Sequence, residues 1–386
     1  MTAERYPASP QKSLAIAELL VHPASAVTDP PLPGPVPDGA PTPHRRRPRY
    51  SGKYPRRFEE KYKEHDLERY AETVARVIAA GKTPAGTHRP IMVAEVLLAL
   101  APQPGETGVD CTLGYGGHAQ ELLARLQPGG RLLGLDTDPI VLPRTEARLR
   151  ALGFGPETFS AHRRNFAGLP QVLAAAGLGG ADFVLADLGV SSMQLDDPSR
   201  GFSLKFEGPL DMRMNPQRGQ PASTVLERLR PDALATLLAE NADEPEARIL
   251  ARLLAGQRFA TTIALADAVR RALPRARGEE RESAVRRVFQ ALRITVNDEF
   301  SALDTLLRLL PSCLKPSGRV AILSFHSGED RRVKKAFAEG LRQGVYEDIA
   351  SEVIRPAPEE RHANPRSAPA KMRWARKAGR TRFGPR

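Results

Sequence analysis

The chain has 386 residues, 41% of them hydrophobic and 26% charged, which allows a sizeable core and excludes disorder throughout. No run approaches the roughly 18 apolar residues of a membrane span, and two distant cysteines, Cys111 and Cys313, exclude a disulfide scaffold or a cysteine-based zinc site and fit a reducing, cytoplasmic setting. A net charge of +12 and a pI near 10.0 suit a polyanionic partner, nucleic acid before membrane.

Residues 1–43 hold ten prolines and little periodicity, and read as a disordered or polyproline-like lead. Glu4 and Glu18 argue against a signal or transit peptide. Between Arg45 and Arg69, ten Lys/Arg stand against five Asp/Glu, with Tyr50, Tyr54, Phe58 and Tyr62 interleaved. Such a segment can track a phosphate backbone and stack on bases, or it can be a solvated arm leading into a docked helix.

From residue 108 strand and helix alternate. Gly108–Thr112 is a short apolar run ending in a glycine-rich turn, and Ala119–Leu126 has helical spacing. Arg131–Asp136 reads as a buried strand, Thr158–His162 as a third and Ala181–Asp187 as a fourth. Pro139 opens the helix after the second strand, and Pro143 is expected to perturb it. Arg319–Phe325 is a fifth strand. Short apolar strands separated by helices predict a parallel, doubly wound sheet. The gap before the fifth strand is too long for one crossover. Ala222–Leu229, Asp232–Glu240, Glu244–Leu254 and Ile263–Leu273 show helical spacing, so a helical insertion is expected, followed by one long helix over Ser283–Leu310. The last 26 residues carry nine Lys/Arg and no Asp/Glu, and read as a nucleic-acid arm.

The first strand runs into DCTLGYGGH, Asp110 to His118. Gly114, Gly116 and Gly117 there allow close backbone approach to a ligand at a helix N-terminus. Asp136, at the end of the second strand, can accept hydrogen bonds from the ribose hydroxyls of an adenosine. A dinucleotide or S-adenosylmethionine would both fit. Asp110 at the head of the turn suits a cationic amino-acid group better than a pyrophosphate, which favours the second. Asp187 ends the fourth strand. Ligands of open α/β sheets bind outside the carboxyl ends of the strands, so Asp110, Asp136 and Asp187 are expected to face one crevice.

The ordered series DCTLGYGGH, LDTD, DLGVSSMQLDD, RGFS, DMRM, FQALRITVNDE, SFHSGEDRRVK and NPRSAPAKMR resembles the bacterial small-subunit ribosomal RNA methyltransferase H family, also called MraW, from about His88 to Lys377. The resemblance implies methylation of the exocyclic N4 of a cytidine in the decoding region of 16S rRNA. It implies an α/β, class I S-adenosylmethionine-dependent methyltransferase fold, a Rossmann-like doubly wound sheet with an inserted helical domain and a long N-terminal extension. On this reading residues 1–87 are the extension, 88–202 and 283–377 the methyltransferase domain, 203–282 the insertion and 378–386 a basic tail.

The resemblance also places Gly116, Gly117 and His118 along the methionine and ribose of S-adenosyl-L-methionine, Asp136 on the ribose and Phe166 on the adenine, with Asp187 and Gln194 completing the pocket. Asp187 is the candidate acceptor beside the target amine. Ser191, Ser192, Arg213 and His326 are expected on the substrate side, though His326 reads equally as a capping histidine. Arg293 and Asn297 share one helix face and read as structural. The implied partner is small-subunit rRNA in an assembled 30S subunit, without membrane, metal or further cofactor; a homodimer is compatible with the sequence, which does not fix the oligomeric state. The chain departs from the family at Ala119 (usually Ser), at Asn241–Glu244 (usually Tyr-Gly-Glu-Glu) and at Gly328 (usually Leu). Two rivals stand beside this reading: a dinucleotide oxidoreductase, and a non-enzymatic RNA-binding or assembly factor with a relic pocket.

Overall fold

The apolar runs of the middle of the chain become neighbouring strands of one sheet. The computed structural model describes residues 90–204 and 206–379. The proline-rich lead, the basic–aromatic run and the end of the basic tail lie outside the described residues. Seven strands, β1 Thr107–Asp110, β2 Arg131–Asp136, β3 Phe159–Arg163, β4 Ala181–Asp187, β5 Leu314–Ser324, β6 Tyr346–Ile349 and β7 Lys371–Lys377, are ordered β3-β2-β1-β4-β5-β7-β6. The first five are parallel, and β7 lies antiparallel between β5 and β6. The chain winds outward from β1 through β2 to β3, then returns to pair β4 with the other side of β1. The carboxyl ends of β1 and β4 therefore flank a topological switch point, where a crevice opens.

Both sheet faces are covered, which is why the central strands read as continuous apolar runs. One face buries Val109, Leu133, Val184 and Ile322 under the helices Leu169–Ala175, Glu299–Cys313 and Ser327–Arg342. The other buries Leu132, Phe183, Leu185 and Leu323 under Val93–Leu100, Gly117–Leu126 and Val141–Ala151. Gly108 in β1 is forced by the fully buried Phe183 ring, which would lie 2.1 Å from a Cβ there. Pro143 sits in the first turn of its helix, where no intrahelical amide is lost, so it perturbs nothing.

Five helices, Ala222–Arg228, Pro231–Ala242, Ala247–Leu254, Thr262–Ala272 and Gly278–Asn297, close around a separate core that includes Leu226, Leu238, Leu250 and Phe289. The expected single helix over Ser283–Leu310 is two helices. The chain breaks at Asp298, which takes a left-handed conformation (φ 51°). The first half packs into the insertion core and only the second returns to the sheet.

The basic arm read over Arg361–Arg386 is corrected for its described part. Residues 371–377 form β7, inside the sheet. Arg373 is buried and donates to Asp330 (2.7 Å), Lys377 Nζ donates to the carbonyls of Pro311 and Leu314 (2.6 Å each), and Arg366 pairs with Asp196 (3.1 Å). These cations are used inside the fold.

Candidate active site

Asp110, Asp136 and Asp187 are the last residues of three adjacent parallel strands, so the sheet itself gathers them on one rim. Their environments differ. Asp110 is 1% exposed and turned under the loop, accepting from Thr112 N (3.1 Å) and Thr112 Oγ1 (3.4 Å). It does not line the hollow above the rim, which corrects the expectation that it meets a ligand amine. Burial, partly offset by the Thr112 amide and reinforced by Asp136, raises its pKa to about 7. Asp136 does line the hollow. Its Oδ2 accepts from Gly114 N (2.7 Å) and its Oδ1 from Asp138 N (2.8 Å), leaving each oxygen a second lone pair. Burial lifts it to about 6 against those amides.

Asp187 also lines the hollow. Its amide donates to Thr112 Oγ1 (2.6 Å), and its Oδ2 stands 3.7 Å from His118 Nδ1. Its Oδ1 is buried with no hydrogen-bond partner among the described residues. Burial first, then the charges of Asp110 and Glu329, push its carboxyl up to about 8. An orphaned buried carboxylate oxygen beside an open hollow asks for a ligand.

The glycines divide the labour of the turn. Gly114 (φ +48°) has only Thr112 O near a hypothetical Cβ, at 3.8 Å, so its face is open to the hollow. Gly116 is a correction: it faces away, where a Cβ would strike Thr145 Cγ2 at 2.9 Å. A Cβ on Gly117 would stand 3.0 Å from the Pro90 ring; Gly117 and His118 line the hollow. His118 is fixed by Ile91 O, 2.9 Å from Nε2. Thr145 and Arg148 hold the turn from behind through the carbonyls of Gly114 and Tyr115. Phe166 lines the hollow just after Asn165, whose side chain caps the following turn.

Ser191 caps a short helix, Ser192–Asp196, in a reciprocal box with Gln194. Gln194 Nε2 then donates to Asp138 Oδ2 (2.9 Å). The same oxygen accepts from Arg200 Nη1 (2.8 Å), whose Nη2 reaches Met214 O (2.9 Å). Asp138 is 1% exposed and Arg200 is 7% exposed, so this is a buried, multiply bonded ion pair. It ties the end of β2, the loop after β4 and the start of the insertion together. Asp138 and Arg200 stand inside LDTD and RGFS, motifs that by themselves assign neither a role; the signal for the pair is an acid two residues past a strand end.

Two expected substrate residues do not line this hollow. His326 does not line the hollow. Its Nδ1 accepts from Glu329 N (3.4 Å) and its ring lies 5.7 Å from that of Phe300, which makes it the capping histidine. Phe300 also fills the space beside Gly328, 2.6 Å from a hypothetical Cβ, so the family's larger residue has no room here. Phe325, Glu299 and Glu329 form that wall instead. Arg213 is paired with Asp211 (2.8 and 2.7 Å) and lines a second hollow next door. Ser191 and Ser192 do line the first. Arg293 pairs with Glu299 (2.9 and 2.8 Å), and Asn297 bonds Met212 O and Met214 N, both of them scaffold. Glu299, His326 and Glu329 are close enough to share a cation, but Arg293 already supplies positive charge to that group. Arg366, from the segment before β7, roofs the hollow by bonding Ser192 O (3.3 Å).

A family model described as the MraW methylase family matches residues 85–378. Ribosomal RNA small subunit methyltransferase H 1 of Lachnoclostridium phytofermentans is 47% identical over 344 residues, 87% of this chain and 93% of its own. Ribosomal RNA small subunit methyltransferase H 2 of Alkaliphilus metalliredigens is 49% identical over 342 residues, 86% of this chain and 97% of its own. The corresponding methyltransferase H 1 of Agathobacter rectalis is 45% identical over 344 residues, 87% and 98% of the two chains.

Proposed function

The chain belongs to the MraW methylase family, and on that premise we propose that it methylates the exocyclic N4 of a cytidine in the decoding region of small-subunit rRNA. The observation that carries the chemistry is Asp187, with its unpartnered Oδ1 at the switch point above an open hollow. The dinucleotide reading gives way to the family.

The residues present fit S-adenosylmethionine, which supplies an electrophilic methyl group on a sulfonium. Asp136 keeps lone pairs for the ribose hydroxyls, and Gly114 leaves its backbone open to close approach. Phe166, Val141 and Leu188 offer apolar surface for the adenine. Asp136 and Asp187, the two rim acids that line the hollow, disfavour an anion and favour a cation.

The target nitrogen is a poor nucleophile because its lone pair is delocalised into the ring. The donor, held by Asp136 and the Gly114 turn, would supply the methyl carbon and take back the electrons of its carbon–sulfur bond as a neutral thioether, so the attacked nitrogen would have a proton to lose. In its ionised form Asp187 accepts that proton and, before it, orients the amine. Burial raises its carboxyl to about 8 in the fold, so the ionised fraction, and turnover with it, should rise with pH. Holding donor and amine in line lowers the barrier by roughly 7–11 kcal/mol. The base leaves its stack to enter, at a cost of a few kcal/mol.

Three finer readings belong to the proposal. The substrate is the assembled 30S subunit, the acting form is a homodimer, and the compartment is the cytoplasm. No helix among the described residues is long and apolar enough to cross a membrane. The methyltransferase parts are 88–202 with 283–377, and the insertion is 203–282. Core membership supports moving the insertion's later boundary to the break at Asp298.

Mass analysis of rRNA nucleosides from a strain lacking the gene tests the function. N4-methylated cytidine in the decoding region should disappear and return on complementation. An unchanged nucleoside profile would favour an assembly factor with a relic pocket.

A further inference from the structure

A second hollow adjoins the first and shares Thr137, Arg164, Asn165, Met214 and Asn297 with it. Its volume, about 590 Å³, falls within the roughly 300–1,000 Å³ of ordinary ligand sites. Four arginines line it. Arg163 and Arg164 follow from the end of β3, and Arg213 and Arg218 come from the loop that opens the insertion.

Their charges are not equally free. Arg213 is neutralised by Asp211. Arg163, Arg164 and Arg218 are exposed and have no side-chain ion pair or hydrogen bond among the described residues, although this chain pairs many of its other arginines. The acid lining this hollow is Asp298, and none of the arginines pairs with it. The stem of Arg164 is braced against Gly168, its Cδ 3.1 Å from where a Cβ would stand. Three uncompensated guanidinium groups from two separate parts of the chain thus converge on a space that opens into the hollow holding Asp187.

We infer that this arginine-lined hollow seats the phosphodiester backbone on either side of the everted target nucleotide. The inference rests on the proposed function and adds where the substrate strand runs. Guanidinium groups bind phosphate with paired, charge-assisted hydrogen bonds. Arg164 borders both hollows and serves the phosphate nearest the base. Arg163 and Arg218 serve its neighbours, clamping the strand between sheet and insertion. Asn165 and Asn215 add neutral donors on the same surface.

The test uses the full chain and labelled isolated small ribosomal subunits, with affinity measured from about 50 to 200 mM monovalent salt at fixed magnesium. Every phosphate that is no longer neutralised lowers the slope of log affinity against log salt by about 0.7–0.9. The Arg163→Gln/Arg218→Gln variant should lose about 1.5 of that slope and bind roughly tenfold more weakly at low salt. Arg163→Lys/Arg218→Lys should recover most of the slope. Binding of S-adenosylmethionine, followed by calorimetry, should stay within about twofold in both variants, which also reports folding. Inorganic phosphate at millimolar concentration should compete only weakly, because the site reads a strand. A slope equal to that of the native chain, in a variant that still binds the donor, overturns the inference while leaving the methyltransferase reading intact. Failure of the native chain to bind or methylate isolated small ribosomal subunits overturns that reading first, and this one with it.

Discussion

At Asp187, burial and the charges of Asp110 and Glu329 act in the same direction. The folded-state carboxyl holds its proton up to about pH 8, against an ordinary value of 3.8. Between those values the folded chain binds a proton that the unfolded chain lacks. The contribution of this group to stability is therefore full below about pH 4 and is lost as pH rises through 8. Asp187→Asn cannot ionise and should escape that loss. Its stability relative to the native chain should grow by up to about 1.4 kcal/mol per pH unit across this window. Denaturant unfolding at pH 5, 6.5 and 8 without donor checks this; a constant difference would mean the carboxyl is solvated or paired. The position of Asp187 was legible because acids that end parallel strands must share a rim. The turning of Asp110 beneath Thr112, and of Gly116 toward Thr145, was not, because both depend on which side of a turn a side chain takes.

Among elements, the five parallel strands announced themselves as apolar runs because helices cover both of their faces. β7 gave no such signal. Its sequence, KMRWARK, alternates cations with the buried Met372, Arg373 and Ala375, and its charges are satisfied by Asp330, Asp348 and backbone carbonyls. Composition saw a basic tail where pairing makes an inner strand. A chain ending at Ala370 would expose β5 and strand β6, which among the described residues pairs with β7 alone. It should lose its cooperative thermal transition, followed by circular dichroism, rather than only weaken RNA binding. A native-like melt in that truncated protein would restore the arm reading. The insertion helices were legible from their spacing, but the break at Asp298 was not, since no proline or glycine marks it.

At the scale of the whole molecule, the 57 Lys and Arg are divided. Many pair with acids inside the fold, and Arg163, Arg164 and Arg218 stand unpaired among the described residues around the second hollow. The family pattern begins at residue 85, but the Lachnoclostridium relative matches 87% of the chain and leaves only about 50 residues outside. Part of the basic–aromatic run before residue 85 is therefore shared with that relative, so the extension is not wholly private to this chain. Composition named the kind of partner, and the ordered motifs named the family. What neither could supply was which arginines remain unpaired, because that depends on distances across the fold. The most direct measurement is transfer of a labelled methyl group from S-adenosylmethionine to isolated small ribosomal subunits, followed by digestion to nucleosides. Label should appear in N4-methylcytidine with the native chain and fall at least about 100-fold with Asp187→Asn, while RNA binding stays within a few-fold. Label on another atom or nucleoside, or full activity in the variant, would contradict the account.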